Sequence, residues 1–184
     1  MARIVYGAIT AGWALLMVLF SSQSYARQDM RHWLEGALSR TGFERYAAGM
    51  SFRYGGRTIS IQELGLGGFS EFLLRKLAHL AEYAVLGALL LLLLHAVFRR
   101  GRWLAPAAIA IVFLFAVTDE IHQSYVQGRT PLPEDVMLDT LGACFGALLV
   151  LLALLASSAR RARRTFPSPA PPLRAAGRQK EGPG

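Results

Sequence analysis

The chain holds one cysteine, Cys144, among 184 residues. A single thiol cannot close an intramolecular disulfide, so no disulfide framework supports the fold. Cys144 lies within an apolar run and reads as a small packing residue. Charge is missing over long stretches: Ile4–Phe20 and Trp103–Thr118 carry none, Leu77–Phe98 carries only Glu82, and Val136–Ala156 only Asp139. The chain is 53% hydrophobic with a mean hydropathy of +0.34, and its apolar residues fall in blocks, unlike those of a dispersed globular core. No basic stripe lies on a soluble domain, so the net charge of +8 does not describe a nucleic-acid surface. Leu64-Gly-Leu-Gly-Gly68 lacks the strand and helix context of a nucleotide loop, and no His, Cys, Asp or Glu spacing matches an established zinc motif.

Each block approaches the ~20 residues needed to cross ~30 Å of hydrocarbon. The predicted fold is all-α: a four-helix transmembrane bundle with spans at about 4–22, 77–98, 103–123 and 135–156, within one domain over 1–156. Ser24-Tyr25-Ala26 offers an alternative, a signal-peptidase site. However, the apolar run before it is longer than the ~7–15 residues of a signal core and only Arg3 precedes it, so a retained helix is expected. Arg99, Arg100, Arg102, Arg160, Arg161, Arg163 and Arg164 flank the spans on one side, which puts both termini in the cytoplasm of a plasma-membrane protein; Arg75 and Lys76 oppose this.

The first extracytoplasmic loop, 23–74, reads as partly structured. Met30–Leu38 fits a short amphipathic helix at the interface with Trp33 as anchor. Ser51–Ile61 fits a small β-hairpin turning at Gly55-Gly56. An isolated hairpin is marginal, so it must rest on the membrane or the helices. The Gly-rich 64–68 segment is a hinge into the second span. Gly142 and Gly146 form a G-x-x-x-G face that permits close packing, within the bundle or to another copy as an oligomer. Residues 157–184 are Arg-, Pro- and Gly-rich and read as a disordered basic tail able to touch anionic lipid.

Alternating spans bring four ends to one membrane face, and those ends carry the polar residues: Ser22 and Gln23; Arg75, Lys76, His79, Glu82 and Tyr83; Asp119, Glu120, His122 and Gln123; Asp135 and Asp139. Arg129 joins them from the last loop. Arg75, His79, Glu82 and Tyr83 share a helix face, as do Asp119, His122 and Gln123. Glu120 points about 100° away from Asp119. Unsatisfied polar groups facing lipid are penalised, so these faces should turn inward. Ion pairs such as Arg129 with Asp135 or His79 with Glu120 would only hold the bundle together. Bonds of that kind average under ~1 kcal/mol in membranes, which explains so many charges poorly. Asp135 also fits an N-cap, and Asp139 a first-turn acid.

Arg75-Lys-Leu-Ala-His-Leu-Ala-Glu-Tyr-Ala-Val-Leu-Gly87, then Thr118-Asp-Glu-Ile-His-Gln123, Gly128-Arg129, Asp135 and Asp139-Thr-Leu-Gly-Ala143 resemble the VanZ-like family of small bacterial membrane proteins. Phe20-Ser-Ser-Gln23 does so too, and the likeness runs over roughly 4–156 apart from the long first loop. The family's namesake is linked to low-level resistance to the glycopeptide teicoplanin. The resemblance therefore implies a cell-envelope protein with a shared site, more firmly than any reaction or cofactor.

Three functions follow from these residues. In the first, a non-enzymatic protein binds membrane lipid, a lipid head group or a cell-wall precursor at this cluster, with consequences for antibiotic susceptibility. Arg75, Lys76 and Arg129 would pair with phosphate, while the many acids favour an ammonium, sugar or mixed ligand over a purely anionic one. In the second, an intramembrane enzyme uses His79, Asp119, Glu120 and His122 as ligands for a divalent metal. The third is proton-coupled transport, opposed by the apolar inner halves Leu89–Leu94 and Leu148–Leu155.

Overall fold

A computed structural model describes residues 1–24, 28–99 and 101–165. Residues 1–151 form one compact unit. The elements are α1 (Ala2–Ser21), α2 (Arg31–Leu38), α3 (Phe43–Ala47), β1 (Ser51–Tyr54), β2 (Arg57–Ser60), α4 (Ile61–Phe98), α5 (Leu104–Gln123) and α6 (Pro133–Thr165). Four of them, α1, α4, α5 and α6, are long and apolar enough to cross a membrane.

Helix α4 begins sixteen residues before its apolar run, at Ile61 instead of 77. Polar residues such as Gln62, Glu63 and Glu71 dilute the hydropathy there without opposing helix, and Ser60 caps its start: its Oγ accepts from the Glu63 N–H at 3.2 Å. The expected hinge lies inside this helix. Gly65 has φ 70° and ψ 170°, a conformation only glycine adopts readily, and the helix kinks there. Helix α6 likewise runs past 156 to Thr165, because Ala, Ser and Arg propagate a helix once the apolar run has nucleated it. The start of the expected tail is thus helical, and 166–184 lie outside the described residues.

Helix α4 touches α1, α2, α3, β2 and α5. It also packs against α6 as a parallel neighbour, where backbones meet directly. Cβ atoms on Gly142 and Gly146 would strike the carbonyls of Leu80 and Ala84, and one on Gly87 would lie 2.6 Å from the Ala143 carbonyl oxygen. The G-x-x-x-G face is therefore filled by α4 inside the bundle, not offered to a second copy. Small residues line the interior (Ala108, Ala116, Ala143 and Ala147 are buried) while Ile4, Leu114, Phe145 and Leu149 face outward. Such inversion suits a solvent as apolar as leucine, where packing and not water exclusion drives helix association.

The strands pair antiparallel with Phe52 opposite Ile59 and Tyr54 opposite Arg57; Gly55 and Gly56 take φ 57° and 74° in the turn. The hairpin rests on α3 and α4 through Ala47, Ile59 and Phe69, flanked by Tyr54 and Phe72, whose rings meet edge to face at 5.3 Å. Trp33 is 68% exposed on α2, free to meet an interface.

Gly146→Ala should force α4 and α6 apart and cost about 1–3 kcal/mol. Gly12→Ala, with nothing within 4 Å of the added Cβ, should be neutral or mildly stabilising. Thermal unfolding in detergent measures both; equal melting temperatures would refute the close contact.

Candidate functional site

The register of α4 on α6 brings their polar ends together. One turn before the glycine contacts, the His79 Nδ1 lies 3.4 Å from Asp139 Oδ1, and Asp139 is only 2% exposed. One further turn out, Lys76 Nζ donates to Asp135 Oδ1 at 2.5 Å. The Tyr54 hydroxyl donates to the same oxygen, and the Lys76 ammonium sits 4.8 Å above the Tyr54 ring. Asp135 belongs to the first turn of α6, where a carboxylate suits the helix dipole. It serves as the joint of α4, α6 and the hairpin, not as an N-cap.

Helix α5 contributes a second set. Asp119 Oδ2 accepts from the Tyr83 hydroxyl at 3.3 Å and from Gln123 Nε2 at 2.8 Å. Gln123 Oε1 accepts from Arg129 Nη1 at 2.9 Å. Arg129 Nη2 then donates to Gln28 Oε1 at 2.8 Å, and Arg75 Nη1 donates to that same oxygen at 3.0 Å. Gln28 in turn donates through Nε2 to the Phe20 carbonyl at the end of α1. Arg75 also donates to Glu71 at 2.7 Å, one turn back on α4. A continuous chain of hydrogen bonds therefore runs from buried Tyr83 to buried Glu71 and ties α1, α4, α5 and the last loop together. Burial first, and then the neighbouring Arg75 charge, pull the Arg129 guanidinium below its usual value; it remains a cation at neutral pH.

Two cavities flank this network. The larger, about 710 Å³, lies under the hairpin and reaches exposed residues such as Arg57, Thr58 and Thr130. The smaller, about 360 Å³, runs between α1 and α4 past Met17, Phe20, Leu74 and Ala78. Glu82 lines the smaller one, and among the described residues its carboxylate has no hydrogen-bond partner. Its backbone carbonyl accepts from Trp13 Nε1 at 3.0 Å.

Most of the expected residues do share this end of the bundle. Lys76, Tyr83, Asp119, Gln123, Arg129 and Asp135 join the hydrogen-bonded networks just described, while His79 and Asp139 face each other without a hydrogen bond. Two turn elsewhere. Glu120, about 100° round α5, accepts from the Leu132 N–H at 2.5 Å and holds the loop before α6. His122 is exposed and meets Ser22 Oγ at 3.1 Å, tying α5 to the end of α1. Neither anticipated pair forms, since Arg129 engages amides and His79 faces Asp139. The metal set His79, Asp119, Glu120 and His122 is not assembled either, because helix phase sends the four side chains to different partners. Among the described residues no three His, Cys, Asp or Glu side chains gather in a metal-holding arrangement. Gln28, Tyr54 and Glu71 escaped sequence reasoning. Only Glu71 left a signal, its i,i+4 spacing to Arg75.

Four membrane-length helices with their buried charge gathered at one end define a multi-pass membrane protein with a polar site at the mouth of its bundle. The chain belongs to the VanZ/LLP1 family, whose model matches residues 6–155. No curated protein and no solved structure matches it.

Asp135→Asn weakens the acceptor shared by Lys76 and Tyr54 and should cost about 1–3 kcal/mol, with faster tryptic cleavage at Arg53 and Arg57. Burial and the bond to Asp135 raise the Tyr54 hydroxyl above its ordinary 10.0. The folded state thus holds that proton more tightly than the unfolded chain. Its contribution is full below about pH 10 and is lost as pH rises further. Alkaline unfolding curves should show this loss in the wild type and not in Tyr54→Phe.

Proposed function

We propose that this protein binds a lipid head group or a cell-envelope precursor at the polar mouth of its bundle, on the extracytoplasmic side of the plasma membrane. The observation that carries this reading is the larger cavity, whose walls come from the hairpin, α4 and the α5–α6 loop and include Arg57, Arg75, Lys76 and Arg129. Hydrogen bonds between membrane helices are worth about 0.6 kcal/mol on average, too little to account for so many ionisable groups as adhesive alone. A ligand with both polar and charged groups gives them a purpose. The arginines flanking the opposite end, including Arg99, Arg102, Arg160 and Arg161, support the orientation. Sequestering an envelope precursor would alter susceptibility to antibiotics that target it.

Native mass spectrometry of the protein in neutral detergent should find about one co-purifying lipid or lipid-linked molecule per chain, lost in Arg129→Ala. Binding unchanged in that variant, or no bound molecule at all, would overturn the reading. A membrane-impermeant maleimide should label Arg57→Cys (in a Cys144→Ala background) in intact cells. Labelling only after permeabilisation would reverse the orientation.

A further inference from the structure

The two cavities are not independent. They share Arg75, His79 and Arg129 as wall residues. On one side of these residues the space is the more polar of the two and reaches exposed Arg57 and Thr130. On the other it is bounded by Met17, Leu74 and Phe20, the last two of which are exposed on the apolar flank of the bundle. A cavity pair of this kind, more polar at one end and mainly apolar at the other apart from acids such as Glu82, with cations at the junction, matches an amphiphile.

The junction also indicates the charged group. Two guanidiniums, Arg75 and Arg129, converge on one neutral oxygen, Gln28 Oε1. Like charges repel at that range; Arg75 has the Glu71 carboxylate at 2.7 Å beside it, whereas the hydrogen bonds of Arg129 among the described residues go to carbonyl dipoles. Arg129 makes no ion pair among the described residues, and its buried Nε lacks a hydrogen-bond partner. By contrast, Lys76 already meets a carboxylate on Asp135. The demand for negative charge is therefore centred on Arg129, at the place where an amide oxygen stands. Arginine forks fit phosphate oxygens in bidentate fashion, and one tetrahedral group can serve both.

Building on the head-group reading above, we propose that the joined cavities bind a phosphate-bearing membrane amphiphile. Its phosphate sits between Arg75 and Arg129 in the place held by Gln28 Oε1, and its apolar chain lies in the smaller cavity beside Ala78 and Leu74. Gln28 is then a placeholder that the ligand displaces, still tethered through its Nε2 to the end of α1.

The test uses the full-length protein in neutral detergent, with dodecyl phosphate, inorganic phosphate and dodecyltrimethylammonium as probes, followed by native mass spectrometry and thermal shift. Dodecyl phosphate should bind more than about tenfold tighter than inorganic phosphate, because the chain contributes burial. Arg129→Gln should weaken it about tenfold or more, and Arg129→Lys by less, since the charge stays while the fork is lost. Gln28→Ala should bind dodecyl phosphate at least as tightly as wild type. Ala78→Phe, at an exposed position, should weaken dodecyl phosphate and leave inorganic phosphate unchanged. Inorganic phosphate binding as tightly as the alkyl form would overturn the amphiphile. Dodecyltrimethylammonium binding as tightly, or a co-purified lipid without phosphate, would overturn the phosphate and leave the head-group reading standing. Failure of every probe together with absence of any co-purified lipid would remove both.

Discussion

The contact on which the site depends is the backbone-to-backbone approach of α4 and α6 at Gly142 and Gly146. Glycine is needed because the facing groups are the carbonyls of Leu80 and Ala84, which leave no room for a side chain. Since the two helices run parallel, this contact sets the register for everything outward of it. His79 then meets Asp139, and Lys76 meets Asp135. In hydrocarbon no water can satisfy an acid that misses its partner. The small-residue seam and the charged mouth are therefore one structural decision made at two depths.

Around that seam the charges are matched unevenly. Lys76 and His79 face carboxylates on α6, and Arg75 has Glu71 one turn back on its own helix. Arg129, coming from the loop, makes its side-chain hydrogen bonds among the described residues to the amides of Gln123 and Gln28. Positive charge is thus compensated along the helices and left less so where the loop folds in, beside both cavities. The hairpin closes this region from outside. Its Tyr54 hydroxyl reaches Asp135, and Gly55 lies so close to Leu132 that a Cβ there would approach to 2.7 Å.

Much of this was legible in the sequence because bilayer geometry constrains it strongly. Charge-free runs marked the spans, Gly55-Gly56 marked the hairpin, and alternation of direction put Lys76, Asp119 and Asp135 at one end of the bundle. The hydropathy threshold placed the start of α4 too late, because a helix resting under a hairpin needs only one apolar face. Helical phase correctly turned Glu120 away from Asp119 but said nothing of its destination, the Leu132 amide. His122 shares a spacing with Asp119 and still ends exposed beside Ser22, because which part of a shared face is covered depends on the neighbour. Gln28 lies in an irregular segment with no periodicity, so nothing in one dimension announced that two arginines would close on it.

The seam has a consequence for how this chain tolerates change. Asp135, Asp139, Gly142 and Gly146 descend α6 at intervals that keep them on one side, and their spacing works as a ruler held against α4. Outward residues such as Met137, Leu141 and Phe145 can be exchanged among greasy side chains without moving the ruler. Adding or deleting one residue between Asp139 and Gly142 would swing both acids about 100° from the cations opposite. Length there is a stricter inheritance than composition.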